Sequence, residues 1–148
     1  MSYDTRIMLF ITGLSRSLVK YDFPEIPVVA AIVRDGRIVS LYSNDVETTG
    51  FPWRHAEFCA IESLATSLGN KFLCDCDIYV TLEPCDLCMA MIDAARIRSV
   101  YFGAYNTKYG SMFNYSSARL TPSIGGFYES DNSNTLIDYF ESMRSSDI

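Results

Sequence analysis

Two short motifs in this chain can do chemistry: His55-Ala56-Glu57 and, further on, Pro84-Cys85-Asp86-Leu87-Cys88. Cys85 and Cys88 stand three residues apart at the start of an expected helix, so their sulfurs share one side and converge on one metal-sized space. The positive end of that helix lowers the cost of deprotonating both thiols. His55, at the start of the preceding helix and the chain's single histidine, can add a neutral imidazole as a third ligand. Three protein ligands on tetrahedral zinc leave a fourth position open to water, which marks a catalytic site, whereas a closed structural site would use a fourth Cys or His. Glu57 lies two residues beyond the histidine, close enough to exchange a proton with that water without ligating the metal. The expected cofactor is therefore Zn2+, held by His55, Cys85 and Cys88, with Glu57 as the catalytic acid and base of a hydrolytic reaction. A lone Cys-x-x-Cys also suits two packed thiols, and a lone His-x-Glu signals little; the two motifs together, each at a helix start, make the reading specific.

The elements that must position these residues follow from periodicity. Ile7, Phe10, Ile11, Leu14 and Leu18 recur at helical spacing, which predicts an amphipathic helix ending before Pro24. Val28 to Val33 is a continuous β-branched and small apolar run, Asp35-Gly36 offers a tight turn, and Ile38 to Tyr42 continues as a partner strand. Asn44 to Trp53, with Gly50 and Pro52, reads as a loop, and Ala56 to Leu68 as a helix stopped by Gly69. Ile78 to Leu82 is a short strand broken by Pro84. Cys85 to Ala95 is a helix packing through Met89, Ile92 and Ala95, and Ser99 to Phe102 returns as a strand. Asn132 to Met143 closes the chain as a helix with Leu136, Ile137 and Phe140 inward. The strand, helix, strand step around Cys85 requires a parallel crossover, so the fold class is α/β: a three-layer α/β/α sandwich with a mixed central sheet and helices on both faces. Cys59 falls in a helix core, and Cys74 and Cys76 alternate across a strand start as packing residues.

Composition bounds the setting. At 148 residues with 49% hydrophobic and 20% charged side chains, the chain suits a single domain spanning 1–148 and excludes disorder as its main state. A formal charge of -6 is the opposite of the footprint of a general nucleic-acid binder, so any RNA contact has to be local. Five cysteines, an odd number in a chain too long to need disulfide staples, point to a reducing compartment and hence the cytoplasm. The apolar stretches Ile7 to Ile11 and Pro27 to Val33 fall short of the ~20 residues that cross a bilayer. The first of them follows Asp4 and precedes no small-residue cleavage site, which speaks against a signal peptide.

In these residues the chain resembles the bacterial tRNA adenosine deaminases of the cytidine deaminase-like superfamily, whose signature is H-x-E with P-C-x-x-C. The resemblance extends to Glu25-Ile26-Pro27-Val28, Asn44, Tyr79 to Cys85, Phe102-Gly103-Ala104, and Tyr139-Phe140 with Met143-Arg144. It implies that Asn44 hydrogen-bonds the target nucleoside, that Ile26, Leu82 and Ala56 line its pocket, and that the reaction converts adenosine to inosine at the wobble position of tRNA. It further implies one zinc per subunit and a homodimer whose partner is the tRNA anticodon loop. A free base or nucleoside such as cytosine, guanine or cytidine is the alternative substrate. The chain departs from the family at Val29, Arg54 and Tyr105-Asn106, and its basic tail is reduced to Arg144. Tyr105, Tyr109 and Tyr115 read as packing residues before base-stacking ones, and Arg54, Lys108 and Arg119 as a local phosphate patch or a solvated surface.

Overall fold

The computed structural model describes residues 2–111 and 121–145. Its elements are α1 (Thr5–Lys20), β1 (Val29–Arg34), β2 (Arg37–Ser43), α2 (Val46–Thr49), α3 (Ala56–Leu68), β3 (Asp77–Leu82), α4 (Asp86–Ala94), β4 (Ser99–Ala104), β5 (Ser123–Ile124) and a last helix, α5 (Glu129–Ser145). The strands form one mixed sheet in the order β2-β1-β3-β4-β5. β1 pairs antiparallel with β2 and β3, while β3 with β4 and β4 with β5 are parallel. The crossover through α4 is the step expected from sequence.

Because side chains alternate across a strand, each central strand feeds two cores. Ala30, Ile32, Ile78, Val80, Val100 and Phe102 pack with Ala56, Ala60 and Leu64 of α3 and Met89 and Ile92 of α4. Val29, Ala31, Val33, Tyr79 and Tyr101 face the other way, onto Ile7, Met8 and Ile11 of α1. α5 packs on α1 and β4, completing the second helical layer. Each buried aliphatic side chain contributes about 1.5–3 kcal/mol. No helix among the described residues is long and apolar enough to cross a membrane.

Three details differ from the periodicity. α1 buries Ile7, Met8, Ile11, Thr12 and Ser15 and leaves Phe10 49% exposed. α5 begins at Glu129 and buries Asn132, Thr135 and Tyr139, whereas Ile137 and Phe140, expected inward, are 51% and 46% exposed. The cause is a polar seam between the two helices: Asn132 Nδ2 donates to Thr12 Oγ1 at 3.1 Å and to the carbonyls of Phe127 and Tyr128. Ser15 Oγ meanwhile donates to the Pro27 carbonyl. Such bonds make small polar residues acceptable where apolar ones were expected. The seam presses so closely on β4 that a Cβ at Gly103 would lie 2.3 Å from Asn132 Nδ2 and 2.6 Å from the Thr81 carbonyl. Finally, the loop expected from Asn44 to Trp53 contains the single turn α2, closed by Gly50 in the left-handed region at φ 76°.

Candidate active site

His55 and Cys85 occupy equivalent places in the fold. Each is the N-cap residue of its helix, with extended backbone angles, His55 for α3 and Cys85 for α4. Cys88 follows in the first turn of α4. The two helix starts therefore aim their positive ends at the same spot, which favours thiolate there. His55 Nδ1 lies 3.3 Å from Cys88 Sγ and 3.8 Å from Cys85 Sγ, and all three donor atoms fall within 4.8 Å of one another. Bonds of about 2.0–2.3 Å at tetrahedral angles set the ligand atoms of zinc roughly 3.4–3.8 Å apart, and the two distances from His55 to the sulfurs are close to that spacing. Among the described residues this is the only such group of three donors.

Electrostatics divide the two sulfurs, with the negative charge on Cys85 and the proton on Cys88. Hydrogen bonding from Cys88, then from His55, holds the Cys85 thiol down at about 4 against its burial. Cys88 moves the opposite way, first because it bonds to the Cys85 sulfur and then because it is buried. The bond to Cys85 also raises His55. Glu57 is 4% exposed, and burial pushes its carboxyl up to about 6. A carboxyl in that range can take and return a proton near neutrality.

His55, Glu57 and Cys85 open onto one cavity of about 370 Å3, lined also by Ile26, Val28, Asn44, Leu82, Glu83, Asn106 and Tyr109. Asn44 is 8% exposed; its Oδ1 accepts the Ala56 N–H at 2.9 Å. That bond leaves Nδ2 without a protein partner among the described residues. Ile26 and Leu82 stand on the walls. Ala56 does not line the cavity: it is fully buried, and its part is the N–H that orients Asn44.

Other expectations separate. Tyr105 packs, its ring edge-on to Phe102 at 5.1 Å. Tyr109 is 61% exposed at the cavity mouth. Arg54 is tied to Asp45 at 3.2 Å and to Glu62 at 3.7 Å, so it forms part of an ion-pair network. Tyr115 and Arg119 lie outside the described residues. Cys59 and Cys76 are buried, and Cys74 is exposed.

The sequence motifs carry no role for Glu83 or Glu25, which the structure shows as buried acceptors. Glu83, 1% exposed, accepts the Asn106 N–H at 3.1 Å and so pins the loop after β4 to the strand end that precedes Cys85. Ser111 N–H on the Pro84 carbonyl and the bridge between Cys85 and Gly110 reinforce that attachment. The available signal was an acidic residue at the end of an apolar strand, where only a satisfied carboxylate is tolerated.

Comparison with known proteins bears on these contacts. Residues 2–104 match the family model of the cytidine and deoxycytidylate deaminase zinc-binding region. The chain is 34% identical over 130 residues to the tRNA-specific adenosine deaminase of Agrobacterium fabrum, a match covering 83% of this chain and 86% of that protein. Among solved structures it is similar to one from a study of A-to-I editing by tRNA:A34 deaminases at the wobble position of transfer RNA. There the TM-score is 0.79 and the identity 31%, covering 89% of this chain and 99% of the other. Guanine deaminase from Bacillus subtilis superposes with a TM-score of 0.67 at 29% identity, over 81% and 82% of the two chains. By the extent of these matches, the chain belongs to the cytidine and deoxycytidylate deaminase family, as a zinc-binding deaminase homologous to the tRNA-specific adenosine deaminases.

Proposed function

We propose that this enzyme hydrolyses adenosine to inosine at the wobble position of tRNA, releasing ammonia. The observation that carries the chemistry is the buried Glu57 carboxyl in one cavity with His55 and Cys85. His55 Nδ1 and the sulfurs of Cys85 and Cys88 would hold one zinc per subunit, which when bound supplies a Lewis acid that makes water nucleophilic near neutral pH. Glu57 takes one proton from the attacking water and gives it to the ring nitrogen, then carries the remaining hydroxyl proton to the exocyclic amine, which leaves as ammonia as the ring carbonyl forms. Asn44 Nδ2 donates to an acceptor on the nucleoside, and Ile26 and Leu82 bracket the base. A base inside a stacked strand cannot reach this cavity, so the target nucleotide has to be flipped out of a loop.

Support for tRNA comes from the relatives that are tRNA adenosine deaminases, which also favour the cytoplasm. The reading takes 1–148 as one deaminase domain acting as a homodimer. Exposed apolar side chains near the site, Phe51 at 49%, Trp53 at 44% and Leu87 at 49%, suit burial by a second copy. The test is incubation of zinc-loaded protein with an anticodon stem-loop RNA bearing adenosine at the wobble position. Inosine is the expected product.

A second reading, hydrolysis of a free base such as guanine, is favoured by the charge of -6 and by the guanine deaminase likeness. Ammonia released from guanine but not from the stem-loop would select it.

A further inference from the structure

Two walls of the cavity come from segments distant in sequence: Ile26 and Val28 enter β1, and Asn44 leaves β2. Behind both stands Glu25, 1% exposed and absent from the cavity lining. Its Oε1 accepts the N–H groups of Val46 at 2.7 Å and Glu47 at 2.9 Å. Its Oε2 accepts the Thr48 N–H at 2.7 Å and the Thr48 hydroxyl at 2.8 Å. A buried carboxylate is costly unless its lone pairs are satisfied, and here four donors meet it. A single helical turn such as Val46–Thr49 does not persist on its own, because nucleation costs more than one turn returns. The carboxylate therefore holds α2 in place. Asn44 sits just before α2, with its N–H on the Val28 carbonyl at 3.2 Å and its Oδ1 on the Ala56 N–H.

We infer that Glu25 is a positioning residue: through α2 it fixes Asn44 against the wall formed by Ile26, so that the Asn44 amide donor meets an acceptor on the substrate. This rests on Asn44 being a substrate contact, whichever nucleobase-bearing molecule fills the cavity. A residue that acts through another shows non-additive losses, whereas one that only supports the fold multiplies any other defect.

A double-mutant cycle on the zinc-loaded full chain tests this, reading kcat and KM with the anticodon stem-loop RNA in one arm and guanine in the other. Glu25→Gln turns an amide NH2 against backbone N–H donors. It should lower kcat/KM about 10- to 100-fold, mainly through KM, at unchanged zinc content. Combined with Asn44→Ala, it should add nothing beyond the loss from Asn44→Ala alone. Thr48→Val, at an exposed position where folding is not at stake, removes one of the four bonds and should cost about 2- to 5-fold, again only while Asn44 is present. Losses that multiply in the double variants overturn the positioning role and leave the substrate site standing. A harmless Asn44→Ala overturns the substrate contact and the inference with it. Turnover of neither substrate by zinc-loaded wild type overturns both this inference and the proposed function.

Discussion

At the scale of single residues, the proposed chemistry depends on Glu57. Glu57→Gln keeps the shape and one acceptor oxygen but cannot shuttle a proton, and should lower kcat about 100- to 10,000-fold while metal analysis still finds zinc. Equal turnover in that variant would remove Glu57 from the chemistry. Cys85→Ala should lose the metal, because two donors do not hold zinc as three do; unchanged zinc content would exclude Cys85 as a ligand. Thiol chemistry offers an independent check. Burial pushes Cys76 up to about 11 and raises Cys59, whereas Cys74 is exposed. In the zinc-loaded protein a maleimide at neutral pH should therefore label Cys74 first, and mass spectrometry that finds Cys76 labelled earlier would contradict this packing. The metal-ligand motifs were legible in sequence because the spacing of Cys85 and Cys88 is local, set by a single helical turn. Glu25 and Glu83 were not, because the donors that satisfy them come from segments far along the chain.

At the scale of elements, the sheet and its crossover were readable because apolar runs and an Asp-Gly turn have local periods. The inward faces of α1 and α5 were not. Polar residues at Thr12, Ser15 and Asn132 are accommodated by bonds between segments, which no hydropathy pattern reveals. Gly103→Ala tests how tightly that seam is packed. Its methyl would meet backbone as well as Asn132, so thermal unfolding should show a loss of about 1–3 kcal/mol; an unchanged Tm would mean the seam yields. The anchoring of α2 has a pH signature. Burial would raise Glu25, but the N–H groups of Glu47, Thr48 and Val46 outweigh it and hold the carboxyl below its ordinary 4.5. A depressed carboxyl contributes its stability in full above 4.5 and loses it as pH falls through the lower folded value. The difference in urea midpoint between wild type and Glu25→Gln should accordingly be widest above 4.5 and shrink in acid. A difference that grows in acid would contradict the sign.

At the scale of the whole molecule, a charge of -6 has to be reconciled with the anionic substrate proposed for it. The net negative charge works against non-specific attraction to phosphate, so the proposed recognition rests on the cavity and a few nearby groups. Titrating salt against binding of the stem-loop should give a shallow slope, with log K falling by about 1–3 per decade, the mark of few neutralised phosphates. A steep slope would demand a basic surface that the composition does not supply. The deaminase class was legible here because the H-x-E and P-C-x-x-C motifs sit within a match to nearly the whole chain. The choice between tRNA and a free base was not, because Asn106 and Tyr109 at the cavity mouth stand in a loop without periodicity, and the place of Asn106 depends on Glu83. The most direct measurement compares zinc-loaded wild type and Glu57→Gln, matched for metal content, on the adenosine-bearing stem-loop, with inosine and ammonia quantified together. Wild type should release the two in equal amounts and the variant almost none. Fully zinc-loaded wild type that releases no ammonia from the stem-loop, or a variant that matches it, would contradict the mechanism.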